Sequence, residues 1–250
     1  MLLAIDIGNT NVNFALFKNK IIKKKFITPT KEIHKYKTII KRIFKNKIDN
    51  CIICSVAPFQ TKILVKEIKK KLLKAPFITG KNCFVPIKNL YQKPKEVGQD
   101  RLVNAYAAIS LYGAPLIAID FGTAITFDVI SKKKEYLGGA IIPGLNISLE
   151  TLARNTALLP KIQLNRPKDL IGRNTKDSML SGIIYGFAAL TDDLTLRIKE
   201  KIGRDAKVIG TGGNIKLIKK YCRQINKTNP DLTLRGLNML FSKLESKKNS

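Results

Sequence analysis

Two aspartates are each followed by glycine two residues on and then by a small hydroxylic or amide residue, as Asp6-Ile7-Gly8-Asn9-Thr10 and Asp120-Phe121-Gly122-Thr123. That combination suits a bound phosphate. Glycine lets backbone N–H groups come close, hydroxyl and amide groups donate hydrogen bonds, and the carboxylate can hold the accompanying cation directly or through water. One Asp-x-Gly is common at any strand-to-turn junction; two of them, with a third glycine-rich run at Gly210-Thr211-Gly212-Gly213-Asn214 suited to an adenosine moiety, point to a nucleotide. Phosphoryl transfer also needs a carboxylate to orient the acceptor hydroxyl. Val97-Gly98-Gln99-Asp100-Arg101 offers an acid beside a permanent cation, directly before an expected helix at 102–110. Asp100 also stands where helix N-caps occur, so capping and catalysis are both open to it.

These residues need elements that aim them, and the chain supplies the same one twice. Leu3-Ala4-Ile5-Asp6-Ile7-Gly8 returns as Ile117-Ala118-Ile119-Asp120-Phe121-Gly122, shifted by 114 residues. Each copy is an apolar strand ending in the carboxylate, followed by an alternating strand (Val12–Phe17, Ala124–Ile130). A duplicated α/β protein is expected, in two halves, 1–114 and 115–250, around a nucleotide cleft, with two phosphate turns to clamp the polyphosphate. The first half reads as three strands, a helix at 35–45, a strand from Cys51 to Val56 and a helix at 61–74. The second continues with a glycine-closed strand from Tyr136, helices at 145–154 and 176–202, a strand at 208–209, a helix at 215–222 and a last helix with a polar Lys/Ser/Asn tail. Asp128, inside a strand, reads as structural.

Composition narrows the partners. The 250 residues carry 46 Lys plus Arg against 18 Asp plus Glu, a net charge of +28, which at first favours nucleic acid. Only nine of those cations are Arg, however, and base-edge readout favours Arg. There is no Trp, and the aromatics are not interleaved with the basic runs as a single-strand stacking platform requires. The surplus is read as a Lys-coated surface without a specific nucleic-acid partner, able to steer anionic substrates. The N-terminus lacks a signal-peptide pattern and no apolar run reaches the ~18 residues of a membrane span, so a cytoplasmic protein is expected. Four cysteines are too few for a disulfide scaffold. Cys51 and Cys54 lie three apart in an apolar strand, where alternation sends them to opposite faces, and His34 is the only histidine, so no zinc site is expected.

Taken together, Asp6-Ile-Gly-Asn-Thr-Asn, Gly98-Gln-Asp-Arg101, Asp120-Phe-Gly-Thr-Ala-Ile-Thr-Phe-Asp128, Gly138-Gly-Ala-Ile-Ile-Pro-Gly144, Ile171-Gly-Arg-Asn-Thr175, Thr211-Gly-Gly213 and Pro230-Asp-Leu-Thr-Leu-Arg-Gly-Leu237 resemble the type III pantothenate kinases. The resemblance runs in order from residue 3 to about 240. It implies the duplicated ribonuclease H-like (actin-like ATPase) fold shared with acetate and sugar kinases, heat-shock chaperone ATPases and actin. It also implies phosphorylation of pantothenate by ATP with Mg2+, the first step toward coenzyme A, by a homodimer whose active site lies near its interface.

Carried over by position, Asp6, Ile7, Gly8, Asn9, Thr10, Asn11, Val12 and Asn13 form the first phosphate loop, and Thr123 contacts ATP. Asp100 is implied as general base, with Gly98, Gln99 and Arg101 beside it on pantothenate. Tyr91 and Thr175 are implied as further pantothenate contacts, and Asp120 as the position associated with potassium or ammonium. Arg101 can also hold the substrate carboxylate. Ala15, where many members have glycine, is the one departure noted. The rival readings are another small-molecule kinase of the superfamily or a non-catalytic accessory factor associated with nucleic acid, since fold alone does not fix the acceptor.

Overall fold

The computed structural model describes residues 1–248; Asn249 and Ser250, the end of the expected polar tail, lie outside the described residues. In chain order the elements begin β1 Leu2–Ile7, β2 Asn11–Lys18, β3 Ile21–Pro29, α1 His34–Ile43, β4 Asn50–Ser55, α2 Pro58–Leu72 and β5 Phe77–Ile78. A 3-10 turn, Pro94–Glu96, leads into α3 Gln99–Tyr112, followed by β6 Leu116–Phe121, β7 Ala124–Ile130, β8 Tyr136–Pro143 and α4 Leu145–Arg154. Then come α5 Thr175–Ile202, β9 Lys207–Thr211, α6 Ile215–Ile218, β10 Lys227–Thr228 and α7 Leu232–Lys248.

The duplication read from six residues extends to whole sheets. One is ordered β3-β2-β1-β4-β5 and the other β8-β7-β6-β9-β10, each a pair of antiparallel hairpins continued by parallel strands. β1 and β6 share one order of buried and half-buried positions, as do β2 and the whole of β7. Even the irregularity recurs, with a register shift at Leu16/Phe17 in the first sheet and at Val129/Ile130 in the second. The hairpin turn is one residue shorter in the second copy: Ile7 pairs with Val12, but Phe121 with Ile125.

Each copy builds its own core. In the first, Leu3, Ile5, Phe14 and Leu16 pack with Tyr36, Ile40, Leu64 and Ile68 from α1 and α2 on one side of the sheet. On the other side Ala4, Ala15, Phe17 and Ile52 meet Val103 of α3 and Leu234, Leu237, Leu240 and Phe241 of α7. Cys51 and Cys54 fall in these two different clusters, as alternation requires, and the four cysteines are free and buried. In the second copy Ile117, Ile119, Phe121 and Phe127 pack with Leu149, Met179, Ile183 and Ile184 of α4 and α5.

The compact units differ from a single cut after residue 114. One comprises residues 1–87, 93–107 and 232–250; the other takes 88–92 and 108–231. The physical reason is the apolar stripe of α7, whose Leu234, Leu237 and Leu240 are buried on the first sheet; each such side chain contributes about 1.5–3 kcal/mol in burial. Gly236 makes this packing possible, because a Cβ there would stand 2.7 Å from Val103 Cγ1 and 3.1 Å from Ala107 Cβ of α3. Thr233 Oγ1 donates to Asn104 Oδ1 at 2.7 Å across the same helix pair.

Several boundaries moved. α2 starts at Pro58, which suits a first helical position because proline has no N–H to leave unpaired. α6 stops at Ile218 rather than residue 222, and α3 begins at Gln99, which draws Asp100 into its first turn. Asp128 is fully buried in β7 and accepts a hydrogen bond from Tyr136 Oη at 2.9 Å, a structural role. Among the described residues no helix is long and apolar enough to cross a membrane.

Candidate active site

In the first unit, Asp6 is the penultimate residue of β1 and pairs in register with Asn13 of β2, whose Nδ2 donates to Asp6 Oδ2 at 3.4 Å. The turn between them is closed by the Gly8 N–H donating to Asn11 O at 3.0 Å. Thr30, just after β3, holds it from outside: its Oγ1 donates to Gly8 O and its N–H to Thr10 O, both at 2.8 Å. Tyr36 Oη then donates to Thr30 O at 2.6 Å, tying the turn to α1. The backbone is thus fixed while the side chains of Asn9 and Thr10 stay exposed. Ile7 and Val12 are core residues that anchor the loop; they face the α1/α2 cluster. Thr30 had no sequence signal, because its role depends on β3 returning beside the turn.

Asp100 belongs to the same unit, half-buried in the first turn of α3. Its Oδ1 accepts from the Arg101 N–H at 2.9 Å. Neighbouring Gln99 lies against Gly80, which has φ +76 and where a Cβ would stand 2.9 Å from Gln99 Cδ. The residues 78–83 that carry Gly80 continue from β5, and Thr79 N–H donates to Ile53 O of β4 at 2.9 Å. Gly98–Arg101 is therefore set beside the strand next to β1. Burial pushes the Asp100 carboxyl above the usual carboxylate range, and the Arg101 N–H and buried guanidinium pull it partly back. Asp6 is raised to about 7, first by burial and second by the charge of Asp100, with Asn13 opposing. The thiol of Cys54, opposite Asp6 on β4, is pushed up by burial and then by both carboxylates. Asp6, Cys54 and Asp100 are one electrostatic group.

In the second unit, Asp120 pairs in register with Thr126, and the Gly122 N–H closes the turn on Ala124 O at 3.1 Å. Two later glycines press on this turn. Gly144, before α4, donates its N–H to Thr123 O at 3.1 Å, and a Cβ there would stand 2.7 Å from Gly122 O. Gly212, with φ +93, would drive a Cβ into the Asp120 carboxylate and to 2.6 Å from Phe121 N. The Asn214 N–H reaches Phe121 O at 3.1 Å. The three glycine-bearing motifs of this half therefore converge on Asp120 and Thr123, and a cavity of about 350 Å³ lies between Asn146, Leu149 and Glu150 of α4, Leu164, Asn214 and Leu217.

Tyr91 also belongs to this unit. Residues 88–90 run beside the start of β8, with Tyr136 N–H to Lys88 O and Leu90 N–H to Tyr136 O both at 2.9 Å. Its ring covers Gly138, where φ is +115 and a Cβ would stand 3.2 Å from Tyr91 Cδ2. Thr175 is the exposed first residue of α5. Its motif builds the helix start: the Asn174 side chain caps the Asp177 N–H at 2.9 Å, and Ser178 Oγ donates to Gly172 O at 3.2 Å. Among the described residues no group of three or more His, Cys, Asp or Glu is placed to hold a metal ion.

Duplicated sheets, each ending in a carboxylate and a phosphate-type turn, define the actin-like ATPase superfamily, in which sugar kinases and other ATP-using proteins share one architecture. The activator of 2-hydroxyisocaproyl-CoA dehydratase from Clostridium difficile, solved with bound ADPNP, matches this fold with a TM-score of 0.57 at 11% identity, covering 100% of this chain and 97% of that one. Within the superfamily the sequence is more specific. The family model of the type III pantothenate kinases matches residues 2–197. Type III pantothenate kinases of Moorella thermoacetica and Halalkalibacterium halodurans are each 38% identical to it, over 97% of this chain and 99% of theirs. The chain belongs to the type III pantothenate kinases, enzymes that phosphorylate pantothenate with ATP.

Proposed function

We propose that in this kinase Asp100 is the general base for the pantothenate hydroxyl, and that Asp6 with residues 7–13 receives the phosphates of ATP. Support comes above all from the electrostatic coupling of Asp6 and Asp100, since a base must stand beside the phosphoryl group it helps to transfer. Transfer of the γ-phosphoryl runs through a loose transition state, so positioning and charge neutralisation outweigh covalent chemistry. The rigid turn at Gly8–Asn11 suits the first need. Asp100 suits the proton transfer: a carboxyl whose proton affinity is raised by burial is a better acceptor for a hydroxyl proton than an exposed one, and the neighbouring Arg101 opposes that rise.

Thr123 and the turn at Gly122 are assigned to ATP in the second unit, with the cavity beside Asn214 suited to the nucleoside. Tyr91, Gly98, Gln99, Arg101 and Thr175 are assigned to pantothenate. Asp120 is assigned to a monovalent cation, potassium or ammonium. The donor set fits such an ion: a single carboxylate with turn carbonyls crowded around it by Gly144 and Gly212, rather than a cluster of acids. Magnesium suits the same chain through Asp6, because it is commonly held by one or two carboxylates plus substrate phosphates, whose charge it neutralises. A homodimer is consistent with Leu190 and Leu196 lying exposed on α5, and light scattering at twice 28.0 kDa tests it.

ADP production measured with pantothenate, glycerol, glucose and acetate in potassium buffer separates this reading from another small-molecule kinase. Turnover with pantothenate alone is expected; turnover with a sugar or acetate and none with pantothenate overturns it.

A further inference from the structure

The second hairpin carries a buried polar pair that the first does without. Asp128 of β7 and Tyr136 of β8 are both fully buried, and Tyr136 Oη donates to Asp128 Oδ1 at 2.9 Å. Thr126, opposite Asp120 in register, donates to the other carboxylate oxygen, Oδ2, at 3.4 Å. Matching the two sheets by their strand pairing shows what the first copy has instead. Ala15 lies opposite Ala4 as Asp128 lies opposite Ala118, and Ile22 lies opposite Phe17 as Tyr136 lies opposite Ile130. Both first-copy residues join the apolar cluster that α3 and α7 complete. The hairpin therefore folds with an apolar pair at this place, and a hydrogen-bonded polar pair taken out of water gains little over one. Folding alone does not account for Asp128 and Tyr136.

A bulge brings them together. Val129 pairs with Gly138 but Ile130 with Tyr136, which leaves Leu137 as an extra residue. Ala140 and Ile142 pack against the core of α4 and α5, and strict alternation would turn Tyr136 to that side as well. The extra residue re-aims it to the face that bears Asp128. What distinguishes the two copies is the chain beyond the last strand. Among the described residues β3 ends its sheet, whereas a bridge pairs Asn89 with Tyr136 outside β8. Tyr136 seats that segment with both its backbone groups, its N–H donating to Lys88 O and its O accepting from the Leu90 N–H, each at 2.9 Å. Lys88 Nζ adds an ion pair to Glu135 Oε1 at 2.8 Å. The Tyr91 N–H then donates to Asn89 Oδ1 at 3.0 Å, and the Tyr91 ring lies on Gly138, next to the bulge. All of these residues belong to one compact unit.

We propose that Asp128 is a positioning residue for pantothenate: by holding Tyr136 from inside the sheet it fixes residues 88–91 and so the place of Tyr91. The proposal rests on Tyr91 being a pantothenate contact. A segment with no secondary structure of its own takes its precision from the element that seats it, and here that seat is one residue locked by a buried hydrogen bond.

Steady-state kinetics of the full-length enzyme, with KM for pantothenate and for ATP measured separately, test it. Tyr136→Phe removes only the hydroxyl; Asp128→Ala with Tyr136→Ile installs the pair that the first copy carries; Asp128→Asn keeps an oxygen that can accept from Tyr136. Each is made with and without Tyr91→Ala, and thermal melting verifies folding. Tyr136→Phe, which keeps the ring, carries the test if the apolar pair does not fold. Tyr136→Phe and the apolar pair are expected to raise KM for pantothenate at least ~5-fold, within the range of coupling inside one network. KM for ATP should stay parental, and Asp128→Asn should restore KM for pantothenate to near the parental value. Because the effect acts through Tyr91, neither variant should raise KM further once Tyr91→Ala is present. Parental KM for pantothenate in folded Tyr136→Phe, with a raised KM in Tyr91→Ala, overturns the positioning role alone. A full further rise on top of Tyr91→Ala, or equal rises for ATP and pantothenate, overturns it too. Parental KM in Tyr91→Ala itself refutes the Tyr91 assignment and the proposal with it.

Discussion

Asp100 stands near enough to Asp6 for its charge to raise the proton affinity of the β1 carboxylate, and Cys54 on the adjacent strand feels both. A protein that brings two acids together in a half-buried place and gives one of them an arginine neighbour has separated their duties. Asp100 has Arg101 beside it to oppose the effect of burial; Asp6, with only Asn13 to oppose burial, holds its proton up to about pH 7.

The first prediction follows from that value. The folded-state pKa of Asp6, about 7, exceeds the ordinary aspartate value of 3.8, so the native chain binds the proton more tightly than the unfolded one. Stability from this group is complete below about pH 4 and is lost as pH rises toward 7. Asp6→Asn removes the loss. The ligand-free variant is expected to melt higher than the parent at pH 8, by on the order of 2–4 kcal/mol in stability, and to show no such advantage at pH 4. Thermal melts across that range check it; a gap independent of pH would show that Asp6 titrates normally.

Asp100→Asn tests the base and the coupling at once. Turnover with pantothenate is expected to fall at least ~10²-fold while ATP binding persists, the lower range for a lost general base. Asp6 should meanwhile titrate below 7, because a neighbouring negative charge is gone. Carboxyl NMR reads the second effect separately from activity. Near-normal turnover would leave Asp100 only its place in the first turn of α3.

The duplicated hairpins were legible because a period-two apolar pattern ending in Asp-x-Gly is a local signal, repeated at a fixed offset of 114 residues. Strand edges and the opposed faces of Cys51 and Cys54 followed from the same alternation. What escaped was long-range. Nothing near residue 236 announces that its glycine lets α7 cross α3, and only the fold returns α7 to the first unit, so a contiguous cut at 114 missed it. Thr30 was missed for the same reason: its two hydrogen bonds join residues about twenty apart in the chain. Asp100 shifted from cap to first turn because the helix starts at Gln99, whose side chain lies against Gly80, earlier than its apolar pattern does.

Gly144→Ala tests the convergence of glycines on the second turn. An added methyl would come within 2.7 Å of Gly122 O and 2.8 Å of the Thr123 carbonyl carbon, so α4 must retreat from the turn. Overpacking of this kind costs about 1–3 kcal/mol. Weaker ATP binding is expected together with a lower melting temperature, and calorimetric titration with ATP distinguishes the two effects. A variant with parental ATP affinity would separate α4 from the nucleotide.

Tyr91→Ala probes the pantothenate assignment against a purely structural one. The ring covers Gly138, so its removal exposes a glycine at φ +115 and loosens the strap of residues 88–91 beside β8. If Tyr91 contacts pantothenate, KM for pantothenate rises several-fold while KM for ATP is unchanged. Tyr91→Phe retains the ring over Gly138 and separates packing from the hydroxyl. A fall in stability with both KM values unaltered would reduce Tyr91 to packing.

Asp120 supplies the last prediction, because it is the site acid assigned to a monovalent cation. Its carboxylate is pressed by Gly212 and lies beside Gly122, in a turn rich in carbonyl oxygens, an environment suited to a large, weakly hydrated monovalent ion. Replacing potassium by sodium in the parent should lower turnover, and ammonium should restore it. Asp120→Asn keeps the shape but removes the charge, so its activity should be low and nearly indifferent to that exchange. A readout independent of turnover comes from melting: potassium should raise the melting temperature of the parent in a saturable way and leave the variant unmoved, as expected for a ligand that binds only the folded state. An equal response of both proteins would show that the ion, if it binds, is held elsewhere.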